Sequence, residues 1–221
     1  MTVVVDHNHW KIKRVRNMPR FAKNKYNGGY YYSLEIAKYF IPTIKTDRNW
    51  VTMNIKSEPG VKHSIVFAHN NIHTEWYEKY KGLDAVLVCG MPETAEKLKA
   101  YGEAIYLPLS VDVEYVSRFR TEKTKDVCFV GRAEKKTDRI PDDVPCLEGI
   151  PREEFLAELA KYRKAYAVDR CAIECKILGT EVLQYGYGYG VEHTPDFWKV
   201  VDSREAAAML QAEINRIDGK E

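Results

Sequence analysis

The sequence predicts an α/β protein made of doubly wound parallel sheets in two small halves. Short apolar runs, several of them continuous, recur along the chain at 3–5, 51–55, 64–68, 85–89, 104–107, 127–130, 146–147, 165–168 and 181–184. Runs of this kind suit parallel strands buried on both faces, whereas half-exposed strands alternate. The segments between them carry helix signals, and strand-helix alternation repeated this often argues for parallel sheets. A polar stretch at 118–126 (RFRTEKTKD) interrupts the alternation before Val127 opens a new run. The expected organisation is therefore a first domain at 1–117, a second at 118–201 and a closing helix at 202–221 that crosses back to the first domain.

Each helix has its own warrant. Ser33 to Phe40 brings Leu34, Ala37 and Ile41 to one face, and Pro42 is expected to end it. Pro92 suits a helix start, with Ala95 and Leu98 inward and Gly102 as the expected C-cap. Pro151 opens another, with Glu153 and Glu154 in the first turn, where the helix dipole favours anions, and Leu156, Leu159 and Ala160 inward. A short helix around Glu174 ends at Gly179. Asp202 with Glu205 three residues on reads as a capping box for the last helix, with Ala207, Leu210, Ile214 and Ile217 inward. The second half has room for only about four strands at ordinary element lengths.

Composition narrows the functional classes. With 45% hydrophobic and 30% charged residues and a net charge of +2, the chain is neither disordered nor globally suited to an anionic polymer. No stretch reaches membrane-spanning length, so the expected location is the cytoplasm. Cys89, Cys128, Cys146, Cys171 and Cys175 are odd in number and form no C-x-x-C pair. They read as buried small hydrophobes in a reducing compartment, and no metal site is expected.

In an open α/β sheet, ligands bind beyond the carboxyl ends of the strands. Glu174 falls there, early in a helix that follows an apolar run. A carboxylate so placed can accept hydrogen bonds from both ribose hydroxyls, and a helix start can hold a phosphate. The bland alternative is a surface glutamate stabilising a helix start. His69 directly follows the run at 64–68, with Asn70 and Asn71 behind it. Asp6, His7 and His9 follow the first run and could supply a general base, or could be solvated loop residues.

Several segments, in order, resemble the nucleotide-sugar glycosyltransferase superfamily with two Rossmann-like domains, the GT-B fold. AIECKILGTEVL at 172–183 resembles its EA-x-A-x-G-x-P-V segment. VCFVGR at 127–132 resembles the strand that opens its second domain. EGIPREEFL at 148–156 with AYAV at 165–168 resembles its G-x-x-x-x-E-L … A-D-x-x-V stretch. NGGYYYSLEIAK at 27–38 resembles its glycine loop, and LPLSVD at 107–112 its P-x-G-x-D junction. The resemblance implies sheets facing a cleft, with the second domain shortened. It implies a metal-independent glycosyltransferase whose co-substrate is a nucleotide diphosphate-sugar, with no other cofactor.

The resemblance also implies roles. Glu174 would bind ribose, and Arg132 with Lys135 or Lys136 would neutralise the diphosphate. Gly28 and Gly29 would let backbone amides approach phosphate or sugar, and His69 would contact the transferred sugar. With Asp6 as general base, these are the candidate site residues. No D-x-D pair stands where a metal would bridge a diphosphate, so charge stabilisation is expected from Arg132 and a lysine. Two positions depart from the pattern. Tyr166 stands where the family has a second glutamate, and Thr137 where it has its lysine. The alternatives are an inactive nucleotide- or nucleotide-sugar-binding module and a nucleic-acid-directed, base-modifying relative. The last is motivated by the segment from Lys11 to Lys25, which holds seven bases and no acid and would attract a phosphorylated acceptor. The alternating YGYGYG at 185–190 reads equally as a stacking platform and as a turn.

Overall fold

The structure, a computed structural model, describes residues 28–52, 59–69, 73–131, 133–185 and 193–219. In chain order its strands are β1 (Asn49–Val51), β2 (Ser64–Phe67), β3 (Ala85–Cys89), β4 (Glu103–Tyr106), β5 (Lys125–Val130), β6 (Cys146–Leu147), β7 (Tyr162–Tyr166) and β8 (Glu181–Leu183). The α-helices are α1 (Gly28–Glu35), α2 (Ile41–Thr43), α3 (Pro92–Leu98), α4 (Val113–Ser117), α5 (Arg152–Leu159), α6 (Asp169–Leu178) and α7 (Ser203–Asp218). They form two compact units, one of Met1–Pro108 with Ser203–Glu221, the other of Leu109–Asp202. The fold is α/β with two four-stranded, all-parallel sheets, as Rossmann-like domains require.

In the first unit the strands lie in the order β1-β2-β3-β4. β2 and β3 are buried along their whole length because both faces are covered. On one face Val51, Val66 and Leu87 pack with Tyr77 and Tyr80 of a 3-10 helix, Thr74–Tyr80, and with Ala95 and Leu98 of α3. On the other, Phe67 anchors an aromatic cluster. Trp50 stacks on it at 6.2 Å, and Phe40 and Tyr32 meet it edge-on at 5.6 and 5.9 Å. Each such ring contributes about 1.5–3 kcal/mol by leaving water. α7 buries Ala206, Ala207, Leu210 and Ile214 and packs on the segment that follows α1.

Pro42 does not end that first helix. The chain passes from α1 into a π-helical stretch, Ile36–Phe40, closed by the Ile41 N–H bonding Ile36 O, and then into α2. The π register restarts the helix, so Pro42 falls at the opening of α2, where its missing N–H costs nothing. Gly102 caps no helix. It lies at the start of β4's approach, where a Cβ would come within 2.9 Å of Ala85 O.

In the second unit the order is β6-β5-β7-β8. The expected seam after residue 117 falls instead after Pro108, because α4 packs against α6 and belongs here. Asp112 caps the start of α4, its carboxylate accepting from the Tyr115 N–H at 3.0 Å. The basic stretch that follows is bound to its own unit. Lys123 Nζ donates to Ala160 O, Leu178 O and Thr180 Oγ1 at 2.9, 2.9 and 2.8 Å, and Arg120 Nε donates to Ile177 O at 2.6 Å. Those carbonyls lie at the carboxyl ends of α5 and α6, where helix dipoles favour cations. Gly179 caps α6 at φ +73°, as a left-handed C-cap requires.

Candidate functional site

The strand order of the second unit creates a switch point. From β5 the chain moves to one side for β6, then returns to pair β7 on the other side of β5. Crossovers leave β5 in opposite directions, and a crevice beyond the carboxyl ends of β5 and β7 is the ligand position such sheets share. Gly131 follows β5 with φ +153°, and a Cβ there would lie 3.0 Å from Phe129 Cζ. Arg132 lies outside the described residues. A 3-10 turn, Ala133–Lys135, comes next in place of a helix, and the Ala133 N–H donates to Glu148 Oε2 at 2.8 Å.

Beyond β7 the chain enters α6 through Asp169, at φ +56°. Glu174, on the second turn of α6, is 1% exposed. Its carboxylate is gripped by Arg152 of α5, with Nη1 2.9 Å from Oε2 and Nη2 2.5 Å from Oε1. Arg170 Nη2 stands 3.9 Å from Oε1. The two expected lysines differ. Lys136 Nζ donates to Asp142 O and Val144 O, so it secures the loop before β6. Lys135 closes the 3-10 turn and is half-buried. Thr137, in the lysine's expected place, donates through Oγ1 to Tyr185 O at 2.7 Å.

Sequence reasoning missed Arg152. Its signal was available: a cation in the first turn of a helix opposes the dipole and needs a compensating anion. Glu174 is that anion. In four of the five cysteines burial disfavours the thiolate. Burial pushes the thiols of Cys89, Cys128 and Cys171 up to about 12 and that of Cys175 well above its ordinary range. All five are free of disulfides.

In the first unit Gly28 and Gly29 are the first two residues of α1. One turn on, Tyr32 meets the His69 ring edge-on at 5.2 Å, and Ser33 Oγ donates to Thr52 O at 3.3 Å. His69 Nε2 lies 2.6 Å from the same carbonyl oxygen. A carbonyl only accepts, so Nε2 is assigned a proton. The start of α1 and His69 thus gather at the carboxyl ends of β1 and β2. Asp6, with His7 and His9, lies outside the described residues. So do Asn70, Asn71, the segment from Lys11 to Lys25 and the glycine-tyrosine run after Tyr185. Tyr185 itself is buried, edge-on to Phe129 at 5.3 Å.

Among the described residues no group of three or more His, Cys, Asp and Glu side chains is arranged to hold a metal, and no helix is long and apolar enough to cross a membrane. Fold and site define a parallel α/β protein with two Rossmann-like units and a charged cluster on the carboxyl side of the second sheet. No protein-family model, curated protein or solved structure matches the chain.

Proposed function

We propose that the chain is a reduced GT-B-type glycosyltransferase that takes a sugar from a nucleotide diphosphate donor bound by the second unit. The observation that supports the reading is the switch point between β5 and β7. Gly131 and Arg132 follow one strand, and the start of α6 follows the other. This is where open sheets bind phosphorylated ligands. In this reading Arg132 and Lys135 meet the diphosphate, and Lys136 acts by holding its loop. Glu174 sets the position of Arg152 and Arg170, and reaches ribose only when Arg152 releases it. Gly28 and Gly29 let backbone amides approach the donor's phosphate or sugar, His69 contacts the transferred sugar, and Asp6 is the base. The chain works in the cytoplasm.

The engagement of Glu174 by Arg152 and the 3-10 turn in place of a helix after β5 favour a second reading, a nucleotide-sugar-binding module without transfer. Calorimetry with uridine and guanosine diphosphate-sugars tests both. Binding that weakens about tenfold or more in Glu174→Gln, as loss of one charge-assisted bond predicts, supports a donor site. No binding to any donor removes both readings. Binding without hydrolysis or transfer selects the second.

A further inference from the structure

The amino edge of the first sheet, opposite the end where ligands are expected, carries a row of charge. Arg48 immediately precedes β1, His63 precedes β2 and Asp84 precedes β3. These strands are adjacent and parallel, so the three residues stand side by side. His63 Nδ1 lies 2.6 Å from Asp84 Oδ2, and His63 Nε2 lies 3.4 Å from Asp47 Oδ1. Arg48 donates from Nη1 to Asp84 O at 2.9 Å and to Asp84 Oδ1 at 3.2 Å. Its Nη2 and Nε donate to Asp218 Oδ1, the last residue of α7, at 2.8 and 3.0 Å.

Two features show that the row is built rather than incidental. His63 and Asp84 both hold left-handed backbone, at φ +48° and +49°, which is uncommon for residues with a Cβ. Asp218 is an anion at the negative end of a helix dipole, an arrangement that opposes its own field and that the Arg48 guanidinium offsets. The row also has an inner and an outer end. The side chains of Arg48 and Asp218 are 5% and 8% exposed, whereas that of His63 is 37% exposed and those of Asp84 and Asp47 more.

We infer that this row is a pH-sensitive latch on α7. With His63 cationic, Asp47, His63, Asp84, Arg48 and Asp218 alternate in sign without a break, and both ring nitrogens donate to carboxylates. With His63 neutral, three carboxylates face one guanidinium, and one ring nitrogen turns its lone pair on a carboxylate. Asp84 then draws on Arg48 alone, in competition with Asp218, and the last turn of α7 loosens. The hydrogen bond to Asp84, aided by Asp47, raises the His63 pKa above its ordinary value, against partial burial and the opposing charge of Arg48. A folded-state value above the unfolded one fixes the sign. The stabilisation is complete below about pH 6.5 and is lost as pH rises through the folded-state value.

Amide hydrogen exchange on the full chain tests the latch. After correction for intrinsic rates, protection across 203–219 is expected to fall several-fold between about pH 6 and about pH 8.5, the range His titration covers. The helix α6 of the second unit is the internal control. His63→Asn keeps a residue that tolerates left-handed backbone but cannot titrate. In this variant α7 is expected to be weakly protected at both pH values. The same pH dependence in His63→Asn as in the wild type, or protection that rises with pH, overturns the inference. Should the variant fail to fold, NMR titration of the wild type decides. The midpoint of the α7 exchange change must coincide with that of the His63 ring, and separate midpoints overturn the latch.

Discussion

The guanidinium of Arg152 and the carboxylate of Glu174 meet through two parallel hydrogen bonds that join the first turn of α5 to the second turn of α6. The pair is nearly dry, with side chains 14% and 2% exposed. Buried pairs of this kind rarely add net stability, yet losing one member leaves an uncompensated charge. Glu174→Ala is expected to destabilise the second unit by about 3 kcal/mol. The double variant Arg152→Met/Glu174→Leu should cost much less than the two single changes together. Urea unfolding of the wild type, Glu174→Ala, Arg152→Met, Glu174→Leu and the double variant measures both, and strictly additive losses in the cycle would contradict the pairing.

Lys123 is the second expected weak point. Its ammonium is matched to three acceptors at the carboxyl ends of α5 and α6. Lys123→Met keeps the apolar stem and removes all three bonds. A loss of about 2 kcal/mol is expected, by the cost of leaving buried acceptors unmet. The midpoint of chemical denaturation reads it, and an unchanged midpoint would make the contacts incidental.

Gly131 should resist any side chain. Its backbone lies where only glycine rests without strain, and a Cβ would press on Phe129, a member of the core cluster with Ile140, Val144 and Tyr185. Gly131→Ala is expected to cost about 1–3 kcal/mol through strain alone. A thermal melt that matches the wild type would refute this.

Thiol chemistry gives a fourth check. With burial holding Cys89, Cys128, Cys171 and Cys175 protonated at neutral pH, alkylation by iodoacetamide should reach them only as the chain unfolds. Mass spectrometry of tryptic peptides, with and without denaturant, distinguishes them. Prompt modification of these four in the native protein would refute it.

How far the sequence announced the structure depended on burial. β2 and β3 are buried on both faces, so their apolar runs were readable without ambiguity. β7 begins at Tyr162, earlier than its apolar run, because Arg163 and Lys164 are exposed within a paired strand. Their charge masked pairing that is a backbone property. The domain seam was misplaced for a related reason. RFRTEKTKD has the composition of a linker, and nothing local reveals that Lys123 and Arg120 reach carbonyls 37 to 57 residues away in the chain. Glu174 was legible as a special carboxylate but its partner was not, since Arg152 differs from a surface arginine only through the helix packed against it.

The first unit is discontinuous in the chain, and the second is carried inside it. The entry and exit of the second unit run side by side, with Val111 bridged to Asp202 and its N–H donating to Val201 O. During synthesis, every residue of the second unit therefore emerges from the ribosome before α7 does. Residues 109–202 can reach their native state first, while residues 28–108 wait for α7 to be translated. A nascent-chain pulse-proteolysis series should show resistance appearing in 109–202 before it appears in 28–108.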